Sequence, residues 1–162
     1  MSPVRPLFLL LTFSFALSAP AQTVKKPVKT NPLVAVTKFR PPVVKTFLGK
    51  KEKEATVTVE EANQLVTLPL KITDDKNNVY TISSYQFMYK KKSVIEDEET
   101  GRKQIAFSNT ASLFKNTPLP KVWQDNISGG VQKDEEFYFF DIVVNDKLNR
   151  KFFAPNIKII VK

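Results

Sequence analysis

The sequence predicts an all-β fold, and three observations predict it. From Phe47 onward, short runs of alternating or β-branched residues recur, separated by turns bearing Asp, Asn or Gly. Helical spacing is confined to two brief stretches. Aromatic bulk, 13 Phe, 4 Tyr and 1 Trp, supplies core volume to a chain of 162 residues that has no cysteine to staple it. Seven or so short strands over roughly 115 residues fit a two-sheet sandwich of immunoglobulin type with one or two short helices.

Each element has its own signal. Phe47-Leu48-Gly49 opens the domain, which spans residues 47–162. Thr58-Val59-Glu60-Glu61 has capping-box spacing, predicting a helical turn over Val59–Gln64, while Ala55–Val59 alternates as a strand would. Leu65–Ile72 alternates with period two, and Pro69 makes it an edge or interrupted strand. Asp74–Asn78 is a turn, and Val79–Tyr89, β-branched and aromatic, is the longest central strand. Lys90-Lys91-Lys92 is expected to face Glu96–Glu99 across a hairpin closed near Thr100-Gly101, ahead of a strand at Gln104–Ser108. Trp123 and Ile127 stand four apart, predicting a helix that Gly129 or Gly130 ends in a left-handed cap. Two strands close the chain, Glu136–Val144 and Arg150–Lys162, with Asn149 at the left-handed position of the loop between them.

The N-terminus points to export. Arg5, an apolar stretch from Pro6 to Ala19, and small residues in Ala19-Pro20-Ala21 read as a signal peptide, residues 1–21, cleaved between Ala21 and Gln22. The mature chain is then residues 22–162, not membrane-spanning, and periplasmic or secreted.

Net charge is +9, unevenly spread. Residues 22–46 hold Lys25, Lys26, Lys29, Lys38, Arg40 and Lys45 and no acid, whereas residues 47–162 hold 18 basic against 16 acidic side chains. Pro27, Pro32, Pro41 and Pro42 make residues 22–46 a basic, extended linker. With no cluster of stacking aromatics in this tail, nucleic acid is not the expected partner.

Catalytic materials are scarce. The chain has no His and no Cys, removing the commonest general base, metal ligand and thiolate nucleophile. A Ser93–lysine pair is conceivable, but strand charge accounts better for Lys90–Lys92. Glu96–Glu99 lacks the alternating oxygen donors and glycine of a calcium loop. No enzyme activity, cofactor or metal is expected. Asn126-Ile127-Ser128 is a glycosylation sequon only in a eukaryotic setting.

The residues resemble a known family. Pro42-Val43-Val44 and Phe47-Leu48-Gly49-Lys50, then Val59–Asn63, Val79–Phe87, Phe139-Phe140-Asp141-Ile142 and Arg150 match the C-terminal periplasmic domain of the GldM/PorM proteins of Bacteroidota. That family serves type IX secretion and gliding motility. Its last turn usually reads Pro-Asp-Gly where this chain has Asn145–Asn149. Its members carry an N-terminal membrane helix and several periplasmic domains, so the motor role is not expected here. The resemblance implies an immunoglobulin-like module binding envelope proteins.

The expected function is therefore a non-enzymatic, exported protein–protein interaction module, accessory to secretion or gliding machinery and compatible with a homo-oligomer. The second reading is an envelope- or polysaccharide-binding module using Lys25, Lys26, Lys29, Lys38 and Arg40 of the tail. Phe137, Phe139 and Trp123 are the expected partner-contacting residues, with Trp123 equally a candidate core anchor. The run Phe137–Phe140 puts rings on both faces of its strand, and the face turned from the core needs cover.

Overall fold

Strands dominate the residues described by the computed structural model, 38–162. In chain order they are β1 (Val44–Leu48), β2 (Lys51–Glu52), β3 (Glu54–Val57), α1 (Val59–Leu65), β4 (Leu70–Asp74), β5 (Val79–Glu96), β6 (Lys103–Phe114), α2 (Lys121–Ser128), β7 (Glu136–Asn145), β8 (Lys151–Ala154) and β9 (Ile157–Val161). The fold is all-β with two short helices. Hydrogen bonding runs β2-β1-β4-β5-β7-β9-β3, with β6 beside β5 and β8 beside β7. All pairs are antiparallel except β3 with β9. The two ends of that path, β2 and β3, are separated in sequence by Lys53 alone, so the sheet bends almost into a barrel. It is sandwich-like: the Thr46 hydroxyl on β1 donates to the Pro155 carbonyl between β8 and β9 at 2.6 Å, tying opposite layers.

Paired bulges set which residues face inward. In β7 Phe137 and Phe139 are buried, then Ile142 and Val144, so burial switches from odd to even positions across Asp141. Asp141 has φ 48°, and the pairing slips there from Gln86↔Phe140 to Ser84↔Val143. The slip is answered in β5 between Ser84 and Ile82. There Tyr85, Phe87 and Tyr89 are buried, while the even-numbered Tyr80 and Ile82 pack on the core. An extra residue in one strand reverses side-chain parity beyond it, and a matching one restores the pairing. The Gln86 side-chain amide donates to Asp141 at 2.8 Å across the irregularity.

The core centres on Phe87, whose ring lies 4.7 Å from Phe139, 5.6 Å from Trp123 and 6.3 Å from Phe137. Tyr85 and Tyr89 extend this cluster to Phe139 and Phe137. Burying such a ring stabilises by about 1.5–3 kcal/mol, and each well-angled pair adds roughly 0.5–1.5. α1 forms as its capping box predicts: the Thr58 hydroxyl accepts the Glu61 amide at 3.3 Å, and Ala62 and Leu65 are buried. The strand-like reading of Ala55–Val59 also holds in part, since β3 ends at Val57, just before the cap.

Three hairpin loops share one design. Asp74, Asp97 and Asp146 each accept backbone amides from the residues ahead of them: Lys76 and Asn78, Glu99 and Thr100, Leu148 and Arg150. Each loop then passes through a left-handed residue, Asn77, Gly101 or Asn149, at φ near 60°. Asn and Gly tolerate that region where other side chains crowd the carbonyl. The left-handed assignment of Asn149 is thus observed.

Several sequence expectations are revised. Folding begins before Phe47: Val44 and Thr46 are buried in β1, and Phe39 packs edge-on against Phe152 at 6.3 Å. Phe39–Lys162 form one unit. Pro41 and Pro42 precede β1, where a missing N–H breaks no ladder. Leu65 ends α1, and β4 starts only after Pro69. Lys90–Lys92 and Glu96 lie on the same strand, because β5 continues to Glu96; the lysines pair with Asn109, Ser108 and Phe107. The helix holding Trp123 ends at Gly129 with φ −81°, without a left-handed cap. The last run divides at Pro155-Asn156 into β8 and β9, which both pair with one side of β7. The signal segment, its Ala21–Gln22 junction and Lys25, Lys26 and Lys29 lie outside the described residues.

Candidate interaction surface

Phe137 and Phe139 are core residues, 0% and 2% exposed, and so present no surface to a partner. The odd positions of β7 ahead of its bulge point inward, leaving Tyr138 and Phe140 on the outer face. Trp123 on α2 is half-buried, edge-on to Phe87 and to Phe114 at 5.6 and 5.5 Å. It anchors the helix beneath the sheet. Lys38 and Arg40 are exposed, and Arg40 joins Phe39, Tyr80, Lys147 and Arg150 around an open groove of about 460 Å³. The Arg150 guanidinium lies 4.1 Å over the Phe39 ring and binds Asp146 at 2.7 Å, so the groove's central charge is already matched.

The outer face is built by register. On β6, Leu113, Ala111, Asn109, Phe107 and Ile105 stand opposite Gln86, Met88, Lys90, Lys92 and Val94 of β5. Across β5, Gln86, Met88 and Lys90 meet Phe140, Tyr138 and Glu136 of β7. Tyr138 and Phe140 stack with ring centres 5.0 Å apart and planes 11° from parallel. At the middle of the face Glu136 accepts Lys158 at 2.9 Å and Lys90 at 3.0 Å. The Lys158 hydrogen bond first, then Lys90, holds the Glu136 carboxyl below its usual range. Lys90 also lies 4.7 Å over the Phe107 ring.

Past Tyr89 the β5–β6 ribbon leaves the core, and both its faces meet solvent. Val94, Ile105 and Leu113 are about 61–62% exposed and Phe107 46%. Among the described residues β6 pairs only with β5, so a twelve-residue strand leaves one side of its backbone open. Proteins usually blunt such edges with lysine, proline or a bulge. Here Gln104–Phe114 holds none: pairing with β5 is continuous, and the strand's one charge, Lys103, sits at its end, 3.8 Å from Glu96.

The sequence reading stopped this strand at Ser108. The outward series Ile105, Phe107, Asn109, Ala111, Leu113 keeps period two beyond it and was the signal available. Also unforeseen is Glu135, a fully buried carboxylate beside β7. It accepts the Tyr89 hydroxyl and the amides of Lys92 and Gln132, the latter two at 2.9 and 3.0 Å. No periodicity marks it, because its partners lie on other segments.

The polar clusters build structure. Ser93 donates to the Ala106 carbonyl, whereas Lys90 and Lys92, of opposite parity, pair with Glu136 and Asp134. In the acidic run, Asp97 closes its own turn and Glu96 meets Lys103. Among the described residues no three or more Asp or Glu side chains gather as metal ligands, and no helix is long and apolar enough to cross a membrane. Compared with known proteins, the chain matches no family model and no curated protein.

Proposed function

We propose that this chain is a non-enzymatic protein-binding module of the bacterial cell envelope, exported and accessory to the secretion or gliding machinery implied by its GldM/PorM resemblance. One observation carries this reading: the open β6 edge lies beside an outer face carrying Ile105, Phe107 and Leu113 exposed. An added strand gains main-chain hydrogen bonds from such an edge, and alternate side chains supply specificity. Exposed apolar side chains in a contiguous row mark interaction sites more often than chance surface.

The second reading, an anionic envelope polymer held by the basic tail, makes opposite predictions. Binding through the tail falls steeply with salt, because exposed charges are screened within about 10 Å at 0.1 M. The experiment is retention of envelope proteins by the full chain, by a variant lacking residues 22–37, and by Phe107→Lys. Residues 39–46 stay in place because they belong to the folded unit. Retention is expected to survive high salt and the deletion, and to be lost in Phe107→Lys. Capture of polysaccharide alone, abolished by deletion or salt, would sink the protein-binding reading.

A further inference from the structure

We infer that the occupant of the β6 edge is a second copy of this chain, paired antiparallel through β6 about a two-fold axis at Asn109. The inference rests on reading β6 as a binding edge and names what binds there.

Geometry limits the choices. Directly opposed residues on paired strands share a face, and faces alternate along each strand. A two-fold axis normal to the sheet therefore passes through a residue, not between residues. Two axes use nearly the whole of Lys103–Phe114, one at Ser108 and one at Asn109. The Ser108 axis sets Phe107 against the partner's Asn109 and Leu113 against the partner's Lys103. The Asn109 axis sets Ile105 against the partner's Leu113 and Phe107 against the partner's Ala111. Asn109 meets itself, amide to amide, and on the other face Ser108 meets the partner's Thr110.

The second arrangement alone matches every exposed apolar side chain of the outer face of β6 with an apolar one, large against small in the case of Phe107. It also joins the two outer faces into one continuous sheet. Lys103 is the sole charge on the strand and lies outside the paired stretch, so no like charges oppose each other within it. The strand is complementary to itself.

The test uses the natural absence of cysteine. In the full chain, Asn109→Cys places two thiols across the axis, whereas Ala106→Cys separates them by several residues. Oxidation is expected to crosslink Asn109→Cys into a covalent dimer and leave Ala106→Cys monomeric. Sedimentation equilibrium supplies a second readout on exposed, fold-neutral variants. Asn109→Lys and Asn109→Glu each lose the dimer, and mixing the two restores it, since Lys then opposes Glu. A wild-type chain that stays monomeric at all concentrations overturns the inference, as does stronger crosslinking from Ala106→Cys. If that monomer still retains envelope proteins and Phe107→Lys abolishes the retention, the self-pairing fails while the protein-binding reading stands. Loss of both fails both.

Discussion

Among the described residues, Glu135 is the charged side chain that the fold closes over completely. Its oxygens take the Tyr89 hydroxyl from β5 and the amides of Lys92 and Gln132, and its own carbonyl accepts the Val161 amide at 2.9 Å. One residue thus ties the loop entering β7 to β5 and β9. Burial first, then the Glu135 carboxylate, pushes the Tyr89 hydroxyl above its ordinary range, so it stays a donor through neutral and mildly alkaline pH. A buried donor left unpaired costs about 1–3 kcal/mol, and Glu135→Ala orphans several. Urea denaturation is expected to show Glu135→Ala less stable by about 3 kcal/mol, and Tyr89→Phe by about 1. An unchanged midpoint in Glu135→Ala would show that the network contributes nothing.

Turns are the elements that local sequence specifies best here. Asp74 illustrates why: it accepts the Asn78 side-chain amide at 2.8 Å, the backbone amides of Lys76 and Asn78, and the Tyr80 hydroxyl at 3.1 Å. These bonds, led by the Asn78 side chain, lower its pKa from 3.8 to about 2. A carboxylate more acidic when folded contributes stability that is whole above its unfolded pKa and lost as pH falls through its folded one. Acid titration of the native chain is therefore expected to lose stability between pH 3.8 and about 2, and Asp74→Ala to lack that component. Equal acid slopes for both would rule this out. Such turns were legible because donor and acceptor lie within a few residues of each other. The length of β6 and the break between β8 and β9 were less so, since strand ends depend on what each strand meets. Gly129 was misread as a left-handed cap for the same reason: the chain beyond α2 turns under constraints set by distant segments.

Across the whole molecule, the order of strands closes the sheet on itself and draws Phe39–Thr46 into the fold. Val44 and Thr46 lie in β1 between β2 and β4, and Phe39 covers Phe152. A chain beginning at Phe39 is expected to unfold as cooperatively as the full chain. One beginning at Phe47 loses the buried Val44 side chain and most of the β1 ladder, at a cost of several kcal/mol on the scale of core truncations. Indistinguishable melting curves for the two would return the boundary to Phe47. Composition and period by themselves determined an all-β domain rich in aromatic core, the helix at the Thr58 cap, the helix carrying Trp123, and the Asp-led turns. Those features follow from local propensity and short-range hydrogen bonds. Only the tertiary structure decided that Phe137 and Phe139 turn inward while Tyr138 and Phe140 turn out, and that β6 keeps an open edge. Parity depends on bulges at Asp141 and Ser84, and openness on which strands β5 accepts, and both are properties of pairing between distant segments.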